Sequence, residues 1–170
     1  MRSKVYLILI LLISMSCKEA SETKFAKDGI SLTCPTGWKI TEEENIENQG
    51  YYLSIEKDGL TSSGLFTLSW LSNRLDLYEW IDIYKEQLSS NIVYRNSNLT
   101  FGEPFESEFN NISSVAVKFN VSILGLKHEG IIHVFYGNDK TISILKQEAI
   151  EDKIKNEKGF EMIEKSLRIE

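Results

Sequence analysis

The hydrophobic pattern of this chain is dominated by alternation with a period of two, which is typical of β-strands with one buried face. Six runs show it, at 30–34, 51–56, 66–70, 115–123, 131–136 and 141–145. Only short turns separate the last three, so they predict an antiparallel meander in which the longest run, 115–123, is a central strand. The runs at 51–56 and 66–70 are expected to pair as neighbours.

Two segments show the helical period instead. Between Asp76 and Ser90 the apolar residues fall on one helix face, at Leu77, Trp80, Ile81, Tyr84 and Leu88. Asp76 and Glu79 fit a capping box, with Asp in place of the usual Ser or Thr. A second stripe near the C-terminus consists of Phe160, Ile163 and Leu167. We therefore predict an α+β fold with an antiparallel β-sheet of about six strands flanked by helices.

The first sixteen residues have the pattern of a secretory signal peptide, with a basic start, a short apolar core and small residues before a cleavage point. Arg2 and Lys4 precede an apolar run from Val5 to Ile13, whose nine residues would span about 14 Å as a helix. A transmembrane helix needs roughly 20 residues to cross about 30 Å of hydrocarbon. The pattern therefore favours a cleaved signal over a permanent span.

The end of this segment, Leu12 to Cys17, resembles the signal of bacterial lipoproteins. Ser16 fits the small residue before the cut, whereas Ser14 and Met15 depart from the usual pattern. The resemblance implies lipidation of Cys17, detectable with labelled palmitate, and export to the cell envelope with a membrane anchor. It divides the chain into a lipoprotein signal peptide (1–16), a tether (17–23) and a single domain (24–170). Plain secretion and an uncleaved anchor are the alternatives.

The two cysteines, Cys17 and Cys34, offer a competing interpretation, because an exported protein can form a disulfide. Lipidation of Cys17 would forbid that bond. Cys34 would then be a lone thiol, which we expect to behave as a small buried hydrophobic residue.

The negative net charge of the chain bears on which partners it can bind. The chain has 19 basic and 25 acidic residues, and loss of Arg2 and Lys4 with the signal makes its net charge of −6 more negative. Nucleic acid is therefore not an expected partner. The densest acidic cluster, Glu42 to Glu44, is expected to be a solvated loop or helix start.

The sequence offers little catalytic or metal-binding chemistry. His128 and His133 are five residues apart, which places them on opposite faces of one strand, and we expect His128 to be exposed beside Glu129. Nucleophile, phosphate-loop, dinucleotide and zinc-peptidase motifs are missing, so we predict no catalytic residues, no cofactor and no metal. Glycosylation-type sequons begin at Asn98, Asn111 and Asn120 and are incidental in a bacterial lipoprotein.

The strand and turn at Ile30–Trp38, with its Pro-Thr-Gly-Trp sequence, resembles the PsbP-like superfamily. The mid-chain helix, the meander and the closing segment Phe160–Leu167 agree with that group, so the resemblance covers about residues 24–170. It implies an α/β/α sandwich and a mostly non-enzymatic role.

Together these features predict a lipid-anchored envelope lipoprotein that serves as a non-enzymatic binding or accessory module for a protein partner. The membrane would be contacted through the lipid on Cys17. The alternative is a carrier or sensor of a small apolar ligand, bound in a cleft between sheet and helix. The aromatic side chains expected to line that cleft are Trp38, Trp70, Trp80 and Tyr84.

Overall fold

The computed structural model describes residues 21–46, 49–59 and 62–170, which contain eleven β-strands and two α-helices. The strands are β1 (Thr23–Lys27), β2 (Ile30–Cys34), β3 (Trp38–Ile46), β4 (Gly50–Lys57), β5 (Leu65–Leu71), β6 (Thr100–Phe101), β7 (Phe105–Phe109), β8 (Ile112–Ile123), β9 (Leu126–Gly137), β10 (Lys140–Ala149) and β11 (Arg168–Ile169). The helices are α1 (Leu77–Ser90) and α2 (Lys153–Ser166), and a 3-10 turn, Ile150–Asp152, precedes α2.

The main sheet has eight strands, seven of them in the order β3-β4-β5-β10-β9-β8-β6, with β7 also paired to β8. All pairings are antiparallel. The predicted meander is confirmed as β8-β9-β10, and β4 pairs with β5 as expected. The prediction of about six strands was too low, because it missed five edge strands that are short or lack an alternating apolar pattern of their own: β1, β3, β6, β7 and β11.

A second sheet of three strands, β1-β2-β11, lies on the α2 side of the molecule. β1 and β2 form a hairpin in which both turn residues, Asp28 and Gly29, have positive φ. The next turn brings the Trp38 N–H to the Pro35 carbonyl at 3.0 Å. Trp38 then fills the space above Gly64 and Gly159, where a Cβ atom would clash with its ring. This contact holds the start of β3 against α2.

Both faces of the main sheet carry buried side chains, so the core has two halves. One half, under β1, β2 and α2, contains Trp38, Trp70 and Cys34. The other half lies under α1, where Ile81 is fully buried and Asp76 caps the helix by accepting from two backbone N–H groups. Within the described residues, neither helix is both long and apolar enough to cross a bilayer.

One predicted element was wrong. Glu42 to Glu44 lie in the edge strand β3, not in a loop or helix start, and the Glu43 carboxylate accepts from the Tyr51 hydroxyl at 2.5 Å. Charged residues on an edge strand hinder pairing with another chain. The opposite edge is protected similarly, because β7 carries the exposed residues Glu106 and Glu108.

Candidate functional site

The surface between α2 and strands β8 to β10 forms an open depression of about 370 Å³, which we call the α2 groove. Its lining residues are Lys118, Phe119, Asn120, Glu129, Gly130, Ile131, Lys146, Gln147, Glu148, Lys153 and Phe160. A second depression of about 550 Å³ continues it along the flank of α2 and shares four of these residues. The groove exists because α2 covers the sheet over β10 and leaves the same face of β8 and β9 open.

Strand register builds the basic side of the groove. Ile131 on β9 lies opposite Lys118 of β8 on one side and opposite Lys146 of β10 on the other. All three side chains therefore share one face of the sheet, so two lysines flank a half-buried isoleucine. The Lys146 ammonium pairs with Glu164 of α2 and lies 6.0 Å from the Phe160 ring centroid.

The next row along the strands is acidic. Glu129 lies opposite Asn120 of β8 and opposite Glu148 of β10. Two carboxylates facing each other across a strand pair repel one another. Lys153 from the first turn of α2 offsets this repulsion, with its ammonium 2.5 Å from a Glu129 carboxylate oxygen.

Glu148 is the most perturbed acid of the groove. Burial raises the pKa of its carboxyl group, and the charge of Glu129 raises it further. Asn156, Lys153 and Lys146 act in the opposite direction. One Glu148 carboxylate oxygen is buried without a hydrogen-bond partner among the described residues. The side-chain oxygen and nitrogen of the neighbouring Asn156 are also buried without a partner there. The inner end of the groove therefore contains polar atoms that the protein itself leaves unsatisfied.

Lys118 differs from the other two lysines of the groove. It is exposed, and it forms no ion pair with any described residue. Its ammonium lies 5.8 Å from the ring centroid of Phe105, which is 38% exposed. The outer end of the groove therefore offers a free cation beside an exposed aromatic ring.

His128 does not lie where the sequence analysis placed it. It is buried on the α1 face, and burial lowers the pKa of its imidazole. The Gln147 amide donates to His128 Nδ1 at 3.4 Å, and the Tyr94 hydroxyl donates to Gln147 Oε1 at 2.7 Å. The predicted exposure was wrong because these two partners come from distant parts of the chain and cover the ring.

His133 and Cys34 are also buried in the core, away from the α2 groove. His133 lies on the opposite face from His128, as predicted, with Nδ1 3.1 Å from the Ser114 hydroxyl. Cys34 is fully buried, as expected, and burial raises the pKa of its thiol to about 11. No group of three or more His, Cys, Asp or Glu side chains with metal-binding geometry occurs in the described ranges.

The four aromatic residues proposed for an apolar cleft do not meet. Trp38 and Trp70 belong to the core half under α2, whereas Trp80 and Tyr84 pack under α1 on the other side of the sheet. The Trp80 indole N–H donates to the Ser143 hydroxyl at 2.7 Å. The predicted shared cleft was therefore wrong, because the sheet separates the two pairs.

The other residues singled out from the sequence are the three sequon asparagines and Cys17. Asn120 lies within β8, as predicted, whereas Asn98 and Asn111 occupy turns with positive φ. Cys17, the predicted lipidation site, lies outside the described residues, as do the signal peptide and most of the tether. The α2 groove itself had no sequence signal, because its lining comes from three strands and a helix whose register the pattern does not specify.

No model of a known protein family matches this chain, and no curated protein matches its sequence. Several solved structures match its fold. CyanoP, the cyanobacterial PsbP of Synechocystis sp. PCC 6803, superposes with a TM-score of 0.59 at 10% identity, covering 93% of this chain and 99% of that protein. A protein of Bacteroides thetaiotaomicron superposes with a TM-score of 0.56 at 12% identity. That match covers 88% of this chain and 49% of the other protein.

LpqN of Mycobacterium tuberculosis, a protein involved in cell envelope biogenesis, gives a TM-score of 0.51 at 14% identity. The match covers 87% of this chain and 90% of LpqN. At such identities the similarity establishes the fold alone. The resemblance drawn from Ile30–Trp38 and from the order of elements is thereby confirmed, and the chain has a PsbP-like fold.

Proposed function

We propose that this protein is a lipid-anchored envelope lipoprotein that acts as a non-enzymatic binding or accessory module. Its α2 groove receives a segment of a protein partner, and the lipid on Cys17 holds the domain at a membrane. The α2 groove is the observation that carries the proposal. The signal-like residues 1–16 and the envelope role of the structurally similar LpqN support the location.

The groove fits a peptide segment better than a small apolar ligand. Its rim combines Lys118, Lys153 and Glu129, while Ile131 and Phe160 supply apolar surface. Protein interfaces have the same plan, with an apolar centre and a polar rim. A small apolar ligand would instead need a concave, mostly apolar pocket. The acidic edge strands also disfavour recognition by strand addition, so the partner is expected on the groove face.

The positions of the reactive side chains support binding without catalysis. Nucleophilic catalysis needs a nucleophile within hydrogen-bond reach of a base, at a place that a substrate can enter. The Ser114 hydroxyl lies 3.1 Å from His133 Nδ1, but both residues are buried, as are Cys34 and His128. Lys118 is instead placed to recognise a carboxylate on a partner.

Site-specific photocrosslinking in native cells tests the binding role. A benzophenone amino acid replaces Asn120, which is exposed, lines the groove and leaves Lys118 in place, and the same amino acid at the exposed Glu86 of α1 serves as the control on the opposite face. We expect one discrete crosslinked protein from position 120 and none from position 86. Equal crosslinking at the two positions, or none at 120, would contradict the proposed use of the groove.

A charge reversal sharpens the test. Lys118→Glu removes the free cation, so it is expected to abolish the complex detected with a crosslinker placed at Asn120. Lys140→Glu is the matched control, because Lys140 lies at the other end of the sheet and outside the groove. Both variants should retain the folded state, since neither lysine forms an ion pair with a described residue.

A further inference from the structure

The predicted tether joins the domain at one particular end of the molecule, which we call the tether end. Thr23 lies opposite Cys34, and the turn after Cys34 leads directly into β3. β3 begins opposite the end of β4, where the Lys57 N–H donates to the Gly64 carbonyl. Ser63 comes directly before Gly64, and its hydroxyl donates at 2.9 Å to the carboxylate of Asp152, the residue that precedes α2. Thr23 and the start of α2 therefore lie at the same end.

Exposed apolar side chains concentrate at this end. Of ten large apolar side chains that are exposed in the described ranges, six belong here: Ile92, Val93, Leu124, Leu126, Ile150 and Ile154. Three separate segments contribute them. The turn after α1 reaches the β8–β9 hairpin through a 2.7 Å hydrogen bond from the Ser122 N–H to the Ser97 carbonyl, and Ala149, opposite His128, leads into the start of α2.

Leu124 at the tip of the β8–β9 hairpin stands out within this patch. It is 99% exposed and has φ +51°, followed by Gly125 at +84°. A tight turn of this kind favours Asn, Asp or Gly at its first position. Of the six non-glycine residues with positive φ in the described ranges, Leu124 is the one that is neither Asn nor Asp. Neither turn geometry nor core packing explains a leucine there.

The length of the tether decides which end can reach a membrane. Seven residue steps separate Cys17 from Lys24, so an extended tether reaches at most about 25 Å. β8 has 12 residues and is about 40 Å long. If Cys17 is held in a bilayer, the far end of the sheet therefore cannot face that bilayer, whereas the tether end lies within reach.

Resting on the proposed lipidation of Cys17, we propose that the tether end docks on the same membrane and places Leu124 and Leu126 in its interfacial layer. Apolar side chains that enter the boundary between headgroups and acyl chains add to the binding of anchored proteins. Charge plays a smaller part, because the exposed bases Arg95 and Lys127 are partly offset by Glu151.

Depth-dependent quenching on the full lipidated chain tests this docking. The chain is reconstituted into vesicles of phosphatidylethanolamine with a minor fraction of phosphatidylglycerol, and some of the lipids carry a nitroxide quencher. A fluorophore is attached to Leu124→Cys or, at the opposite end, to Asp139→Cys. The native thiol of Cys34 is fully buried and does not compete for the label. We expect a blue shift and strong quenching at position 124 and neither at position 139.

The outcomes separate the two proposals. If the protein floats with the vesicles but position 124 is not quenched, the docking proposal is wrong, the lipid anchor is retained, and the apolar end is free to bind a protein. Equal quenching at positions 124 and 139 also contradicts the docking proposal without affecting the lipid anchor. Protein that carries no lipid and does not float overturns both.

A substitution pair provides an independent check, with the fluorophore moved to Leu126→Cys. Leu124→Asn should abolish most of the quenching. Tyr78→Asn should leave the quenching unchanged, because Tyr78 is also exposed but lies at the start of α1, at the far end. An unchanged signal in Leu124→Asn would show that Leu124 does not contact the bilayer.

Discussion

Leu124→Asn should make the domain more stable although it removes a large hydrophobic residue. The left-handed conformation costs an ordinary L-residue roughly 1–2 kcal/mol, and Asn recovers part of this cost through local hydrogen bonds. Burial is not lost, because Leu124 is 99% exposed. The change also creates an Asn-Gly pair, which this type of turn favours. We expect a gain of about 1 kcal/mol in the free energy of unfolding, or roughly 2–4 °C in Tm for a domain of this size.

Urea denaturation followed by tryptophan fluorescence measures the gain, since Trp38 and Trp70 are buried and report on the core. All variants carry Cys17→Ala, so that lipid does not affect the comparison. Asp28→Leu is the matched reverse change, because Asp28 has φ +51° before Gly29, and it should lose about as much stability. If Leu124→Asn is no more stable than the parent, the turn is not strained and the reasoning about Leu124 fails.

Three further predictions concern the core. Gly130→Ala should destabilise the domain by about 1–3 kcal/mol in urea titrations, because the new Cβ atom would lie 2.2 Å from the Phe119 ring; wild-type stability would mean that Phe119 packs elsewhere. Cys34, with its pKa raised to about 11, should resist iodoacetamide at neutral pH until the protein unfolds, and rapid native labelling would show that it is exposed. Burial lowers the pKa of His133 to about 4, so the unfolded state binds a proton below pH 6.5 that the native state does not. Stability should therefore fall by up to about 3 kcal/mol between pH 6.5 and 4, and this loss should shrink in His133→Gln; an equally steep fall in that variant would assign the effect to other groups.

The sequence predicted the elements that have a strong pattern. The alternation at 115–123 specified β8, and the stripe from Leu77 to Leu88 specified α1 together with its Asp76 cap. Both patterns arise from a single buried face, which period alone can reveal. The short strands β6 and β11 have two residues each, so neither contains enough positions for a period to be recognised.

Features that depend on strand register and on contacts between residues distant in sequence could not be predicted from the sequence pattern. His128 is buried because Gln147 and Tyr94 cover it, and neither is near it in sequence. The pairing of Glu129 with Glu148 is likewise a result of strand register, which alternation within each strand leaves open. The α2 groove results from that register and from the packing of α2 on the sheet, so no local sequence motif predicts it.

The most direct test of the account is a mass spectrum of the N-terminal peptide of the mature protein, isolated from membranes of cells that produce the full chain. We predict a peptide that begins at Cys17 and carries the mass of a diacylglycerol thioether, while a Cys17→Ala chain yields no such peptide. A mature protein that begins at another residue, with an unmodified thiol at Cys17, would contradict the lipid anchor on which the proposed function depends.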